Sequence, residues 1–422
     1  MTDTTPEPAG ALRRRGFLRG AALGVGTVGA VTGAGAAAAA LTGTAQAATP
    51  TPKEPAAPPA DFHGVHQAGI VQPAQKCTAF LSYDVTAADR RELTELLRSV
   101  TDRARFLTTG GTPAALGITA PPSDSGTLGP QVPGDGLTVT VGVGSSLFDG
   151  RFGLADRKPL RLSPMPTFPD DDLDPAWCHG DLSVQVSAAH TDTVLHAVRD
   201  IARHTRGGMQ VRWRIDGFTS PPRPSGTQRN HLGFKDGISN PEVTDPAVAD
   251  KLLWVTGGGE PQWAQGGSYQ VVRVIRMLVE FWDRVSVTEQ ERMFGRSKAT
   301  GAPLDGSGEF DAPKFAQDPT GDVIPLDSHI RMANPRTTQS EGSRILRRGY
   351  NYDLGTDSDG NLDMGLIFTC YQQDVVRQFE AVQKRLAGEP LVDYITPFGG
   401  GYFFALPGVR DRNDWLGRAL LA

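Results

Sequence analysis

The segment His231-Leu-Gly233-Phe-Lys-Asp236-Gly237-Ile238-Ser-Asn240-Pro241 holds one carboxylate between two glycines. Glycine on either side lets the backbone turn sharply and approach a ligand closely. Asn240-Pro241 then ends any helix and fixes an extended exit. An Asp presented this way can point into a cavity, whereas an isolated Asp-Gly is usually a surface turn. The segment follows a proline-rich break, Ser220-Pro-Pro-Arg-Pro-Ser225. On either side of that break the strand and helix signals come in similar sets.

In the first set, residues 77–84 read as a strand and 87–100 as a helix with Leu93, Leu96, Leu97 and Val100 on one face. Residues 137–143 and 182–187 alternate as strands. Residues 190–203 form a helix with Val194, Leu195, Val198 and Ile201 on one stripe, and 209–215 alternate again. The second set has strands at 269–277, 364–370 and 401–406, a short helix at 288–294 and a longer one at 374–386. One-sided strands mixed with helices predict an α+β fold, an antiparallel sheet with helices packed on one face. The repeat predicts two related domains, 61–219 and 220–422. Long Gly/Pro/Asp loops at 144–180 and 298–324 are expected to shape access to a pocket.

The first 47 residues read as an export signal and not as fold. Arg13-Arg14-Arg15-Gly16-Phe17-Leu18 leads into a Gly/Ala stretch and then Ala45-Gln46-Ala47, a small-x-small cleavage site. Arg14-Arg15 ahead of Phe17-Leu18 fits the twin-arginine address, read by export machinery that carries folded proteins. A retained membrane helix is the competing reading, disfavoured by the weak hydropathy of Ala, Gly and Thr. Residues 48–60 are a Pro/Ala/Thr-rich, disordered lead-in. Cleavage leaves about 375 residues, enough for a large core.

The net charge is −5, and no basic block stands outside the signal, so nucleic-acid binding has no electrostatic support. The three cysteines, Cys77, Cys178 and Cys370, show no C-x-x-C spacing; they offer no zinc or redox motif and allow at most one disulfide.

Further along lie Asp327-Ser-His329-Ile-Arg331-Met-Ala-Asn334-Pro335-Arg336 and Ser343-Arg344-Ile-Leu-Arg347-Arg348-Gly-Tyr350-Asn-Tyr352. With the Asp236 segment, this order of pieces resembles the dye-decolourising peroxidases. Their signature is Gly-x-x-Asp-Gly followed by one haem-ligating His and an Arg. Phe62-His-Gly-Val-His-Gln67-Ala-Gly-Ile70, Val141-Gly-Val-Gly-Ser-Ser-Leu-Phe148 and Gly365-Leu-Ile-Phe368-Thr-Cys-Tyr371-Gln-Gln-Asp374 extend the resemblance over most of the mature chain.

The resemblance implies two ferredoxin-like domains, the second holding one haem b (iron protoporphyrin IX) per chain. Eight histidines are present, and spacing cannot choose among them; a lone His suffices for haem because the porphyrin supplies the other nitrogens. The resemblance points to His329 as the iron ligand, with His231 as runner-up. It implies Asp393 as the acceptor for the other ring N–H of His329. Asp236 would relay a proton from peroxide. Arg347, 18 residues after His329, would supply fixed positive charge, ahead of Arg344 and Arg348. Asn240 would orient a distal water or peroxide. Gly237, Ile238, Phe368 and Phe404 would touch the cofactor, and Arg331 a haem propionate. Tyr350, Tyr352, Tyr402 and the six tryptophans are possible electron routes to bulky donors.

The function so implied is an exported peroxidase. It would use hydrogen peroxide to oxidise dyes, phenols and other organic donors through a ferryl intermediate. Release of iron from haem with the macrocycle intact, and a non-catalytic haem carrier, are the alternatives. The oligomeric state is left open by the sequence.

Overall fold

In the computed structural model, which describes residues 60–117 and 119–422, the alternating stretches pair into one sheet of nine strands among the described residues. The first half runs β1 (Cys77–Val85), α1 (Arg90–Thr109), β2 (Thr138–Gly144), β3 (Leu182–Ala188), α2 (Thr191–His204) and β4 (Met209–Phe218). The second half opens with α3 (Pro246–Leu252), β5 (Ser268–Met277), α4 (Val279–Trp282), α5 (Val287–Phe294), α6 (His329–Ala333) and α7 (Thr338–Glu341). It continues with β6 (Leu346–Arg347), β7 (Tyr350–Thr356), β8 (Leu362–Gln372), α8 (Ala381–Leu386), β9 (Ile395–Ala405) and α9 (Arg418–Leu421). The export signal, and all of the lead-in except Ala60, lie outside the described residues.

Both halves repeat one strand order. β1 lies between β3 and β4, with β2 beyond β3, all antiparallel. β5 lies between β8 and β9, with β7 beyond β8. Each is the ferredoxin-like arrangement. The halves then join at two seams: Phe218 of β4 pairs with Asn351 of β7, and Gly142, Val143 and Gly144 of β2 pair with Ala405, Phe404 and Phe403 of β9. The sheet therefore closes on itself and leaves few unpaired edges. Its glycines serve that closure: a Cβ on Gly142 would come within 2.6 Å of Ser183 Oγ and 3.2 Å of Phe403 Cβ.

Alternation along the strands gives the closed sheet two faces. Phe80, Trp213, Ile215, Val272, Val274, Tyr350, Tyr352, Ile367 and Phe403 form one buried cluster. Leu93, Leu97, Val100, Val194 and Ile201 of α1 and α2 join a second, larger one with Val141, Val184 and Phe404. α1 begins where the Asp89 side chain accepts the Glu92 N–H, and ends at Gly110, with φ +72°. It outruns the expected 87–100 because Thr101, Ala104 and Leu107 stay buried on the same face.

The second half departs from expectation at β7 and after β8, besides gaining the two-residue β6 and the short helices α3, α4, α6 and α7. β7 is an added strand, with only its first three residues buried. The helix expected at 374–386 is a π turn, Val376–Glu380, followed by α8; such turns often mark functional sites. The three cysteines are free, and no helix among the described residues is long and apolar enough to cross a membrane.

Candidate active site

A deep cleft opens between one face of the second half's strands and the helices that cover it. Arg273, Ile275 and Met277 of β5, Leu366 and Phe368 of β8, and Ile395 and Pro397 of β9 form its floor. Phe294, His329, Ile330, Phe379, Val382 and Leu386 come from the helical side. Asp236 and Ile238 of the glycine-flanked loop, and Arg347 of β6, line the same space.

His329 opens α6, and its Nδ1 lies 2.7 Å from a carboxylate oxygen of Glu389. Burial opposes protonation of the ring, but Glu389 outweighs it and holds the imidazole pKa above its ordinary value. With Nδ1 engaged, Nε2 has no partner among the described residues. The expected acceptor was Asp393, and this is corrected. Asp393 is exposed in the turn Pro390–Tyr394, while Glu389, four residues earlier, is buried. The carboxylate comes from the turn that follows α8, set by Gly388-Glu389-Pro390. That short signal was present in the sequence, but nothing at the level of sequence linked it to His329.

On the glycine-flanked loop, Gly233 (φ +85°) and Gly237 (φ +103°) take backbone conformations that other residues rarely adopt. Between them Asp236 directs Oδ1 to Arg347, whose Nη1 donates to it at 3.1 Å. Both side chains remain partly open to the cleft, at 19% and 26% exposure. A partly exposed pair of this kind adds only about 0–1 kcal/mol to stability, so its place in the cleft is the more informative fact. Gly237 shapes the loop but does not line the cleft, whereas Ile238 does.

Asn240 does not face the cleft. Its Nδ2 donates to the Arg347 carbonyl at 2.8 Å and its Oδ1 accepts the Arg347 N–H at 3.0 Å. Its amide is therefore used in holding Arg347, which replaces the expected role of orienting peroxide. His231, the competing ligand, places Nε2 3.1 Å from the Tyr352 carbonyl and does not line the cleft.

Arg331 is also corrected as a propionate partner. It donates to the Asp318 carboxylate at 3.2 Å and to the Ile324 carbonyl at 2.8 Å, and lies over the Phe315 ring. The arginines that do line the cleft are Arg296, Arg336, Arg344 and Arg347, besides Arg273 on the floor. Burial, with Arg336 and Arg347 close by, pushes the Arg296 pKa down to about 10. Like charges gathered this way favour an anion among them.

Of the two expected phenylalanines, Phe368 lines the cleft. Phe404 is fully buried against Trp263 and Tyr269 and belongs to the core. Tyr350, Tyr352 and Tyr402 are all buried. Arg348 is buried and donates to the Gln72 carbonyl, outside the cleft lining. No cluster of three or more metal-ligating side chains occurs among the described residues. A metal brought by a macrocycle needs only one. An apolar slot, one imidazole with a free Nε2 and several guanidiniums fit haem, a flat apolar ring with an iron to ligate and two carboxylates to neutralise.

Residues 67–219 match the family model for "Dyp-type peroxidase, N-terminal" and residues 227–410 that for "Dyp-type peroxidase, C-terminal". A protein named deferrochelatase from Yersinia pestis bv. Antiqua is 50% identical over 365 residues, covering 85% of this chain and 84% of that protein. A deferrochelatase from Escherichia coli O6:K15:H31 is 53% identical over 366 residues, covering 85% and 86%. Among solved structures, a DyP-type peroxidase from Cellulomonas bogoriensis superposes with TM-score 0.78 at 38% identity, over 87% of this chain and 99% of that one. Ferric DtpA from Streptomyces lividans gives TM-score 0.78 at 35% identity, over 87% and 98%.

Proposed function

The chain belongs to the Dyp-type peroxidase family, and from that premise we propose a site, a cofactor form and a location for its chemistry. It is a haem-dependent peroxidase, with peroxide and organic donors as its substrates. The cofactor in this proposal is haem b, one per chain, held in the C-terminal half by His329.

Haem supplies the iron at which peroxide is reduced. Glu389 accepts the Nδ1–H of His329, fixing the tautomer that leaves the Nε2 lone pair free and raising its basicity. Asp236 takes a proton from hydrogen peroxide on Oδ2, since Oδ1 is paired with Arg347, and returns it to the departing oxygen. Arg347 stays charged throughout and stabilises the ionised peroxide. Asn240 holds Arg347 in place by its backbone. Phe368, Ile238 and Leu366 exclude water from the ring. Arg336 and Arg344 take the place of Arg331 as partners for the propionates. Organic donors then lose one electron at a time.

The observation that carries this reading is the convergence of the His329–Glu389 and Asp236–Arg347 pairs on one apolar cleft. The test is the absorption spectrum of the purified mature protein before and after one equivalent of hydrogen peroxide. A high-spin ferric band that changes within the mixing time supports peroxidation. A low-spin spectrum indifferent to peroxide would leave a carrier.

The names of the two relatives favour a second reading alongside the first, release of iron from haem. Intact protoporphyrin recovered as product would identify it. The N-terminal Arg14-Arg15 segment supports export by the twin-arginine machinery, to a secreted, periplasmic or cell-surface location. Retention of an R14K/R15K variant in the cytoplasm would test that.

A further inference from the structure

α6 is five residues long and starts with His329. A helix that short has little stability of its own, and its final carbonyls have no partners within it. The chain leaves it through Asn334 in an extended conformation, followed by Pro335, so the helix cannot continue. Something else must hold it.

Arg385 does so from α8. Its Nε donates to the Met332 carbonyl at 3.1 Å and its Nη2 to the Ala333 carbonyl at 2.7 Å. Nη2 also donates to Ser343 Oγ at 3.0 Å, and Ser343 in turn donates to the Ser340 carbonyl at 2.9 Å. Ser343 stands four residues before Arg347. One guanidinium thus spans the end of the ligand helix and the segment leading to the Asp236 partner.

Among the described residues no carboxylate pairs with Arg385; its acceptors are two carbonyls and a hydroxyl. The side chain is partly buried, and burial pushes its pKa down. A guanidinium placed for stability alone would gain more from an acidic partner. Its fork instead matches the spacing of consecutive carbonyls at a helix end, where a cation also suits the dipole. Four residues further on, Glu389 holds the His329 ring. Ligand helix and ligand ring are therefore gripped from one short stretch of chain.

We propose that Arg385 is a positioning residue for His329: with Glu389 it fixes where Nε2 points, and through Ser343 it ties that direction to Arg347. The proposal rests on His329 being the haem ligand. Groups that hold a metal ligand in its orientation change metal affinity by about ten- to a hundredfold.

The test measures transfer of haem from the loaded protein to excess apomyoglobin, together with the ferric absorption spectrum, in wild type, R385M, R385K and H329A. R385M keeps the apolar stem and loses the donors. Release from R385M about ten- to a hundredfold faster than wild type, with a changed spin-state balance, and R385K falling between, is the expected result. Wild-type release and an unchanged spectrum in R385M would overturn the proposal, even if the variant melts at a lower temperature. If R385M does not fold, R385K decides alone: faster release supports the proposal and wild-type release overturns it. H329A separates the two layers. Rapid loss of haem from H329A with normal R385M defeats only this inference, whereas wild-type retention by H329A defeats the ligand assignment itself.

Discussion

Asn240 grips Arg347 by its main chain, donating to the Arg347 carbonyl at 2.8 Å and accepting its N–H at 3.0 Å. The two residues are 107 apart in sequence. The loop that presents Asp236 is thereby fastened to the strand that presents Arg347, and the side-chain pair between them has a fixed geometry.

Asn240→Ala removes both bonds at a residue that does not itself line the cleft. The expected outcome is a slower reaction with peroxide, by up to about a hundredfold, the effect of displacing a reacting group by about 1 Å. Haem content should be unchanged. Asn240→Asp keeps an acceptor for the N–H but loses the donor to the carbonyl, and should fall between. Stopped-flow measurement of the bimolecular peroxide rate checks both. A wild-type rate in Asn240→Ala would show that Arg347 holds its place without the clasp.

Asp236→Asn removes the proton acceptor, and Arg347→Leu removes the fixed charge. Each should slow the peroxide step, by about 10²- to 10⁴-fold for a lost acid–base group and about 10²- to 10³-fold for a lost electrostatic donor. Because the two act on one proton transfer, the double variant should cost much less than the product of the single effects. Single-turnover rates in the three variants provide the cycle. Strictly multiplicative losses would mean the residues act in separate steps.

Much of this site was legible in the sequence because it is carried by short local patterns. Asp236 between its glycines, His329 ahead of Arg331, and Arg347 after Ile345-Leu346 each stand in a recognisable neighbourhood. The α+β class and the two-fold repeat could be inferred from the repeated alternation. Closure of the sheet could not, since one seam rests on a single pair, Phe218 with Asn351. β7 escaped because Asp353, Gly355 and Thr356 interrupt its alternation and only its first three residues are buried. The roles of Arg331, Phe404 and Asn240 were misread for a common reason. Each stands on a segment that reaches the cleft, and only folding decides which way its side chain turns.

The carboxylate behind His329 gives a direct comparison. Glu389 is buried at 2.7 Å from Nδ1, and Asp393 is exposed. Glu389→Gln should weaken haem retention by about ten- to a hundredfold and shift the ferric spectrum, since an amide is a poorer acceptor than a carboxylate. Asp393→Asn should behave as wild type. Competitive haem transfer to apomyoglobin measures both, and loss from Asp393→Asn with wild-type retention in Glu389→Gln would return the role to Asp393.

Acid stability turns on a buried carboxylate in the first half, away from the cleft. Asp181 accepts the Val85 N–H at 2.9 Å, the Ser146 hydroxyl at 2.5 Å and an Arg151 Nη2–H at 2.9 Å. Burial pushes its carboxyl up, but the Arg151 guanidinium, Ser146 and Val85 together outweigh that and hold the pKa below its ordinary value. A group depressed in the folded state contributes stability that is complete above its unfolded pKa, about 3.9 for Asp. That contribution is lost as the pH falls through the folded value. Asp181→Asn removes the charge and puts an NH2 where one carboxylate oxygen accepted, so at least one of the three bonds becomes donor against donor, which should cost about 1–3 kcal/mol at pH 7. The deficit should shrink progressively below pH ~4, where this carboxylate begins to be protonated in the unfolded wild-type chain. Urea unfolding of wild type and variant between neutral pH and pH ~3 measures the difference, and any effect of acid on the haem site is common to both. A deficit that stayed constant across that range would mean that the Asp181 bonds act through packing and that its charge contributes nothing.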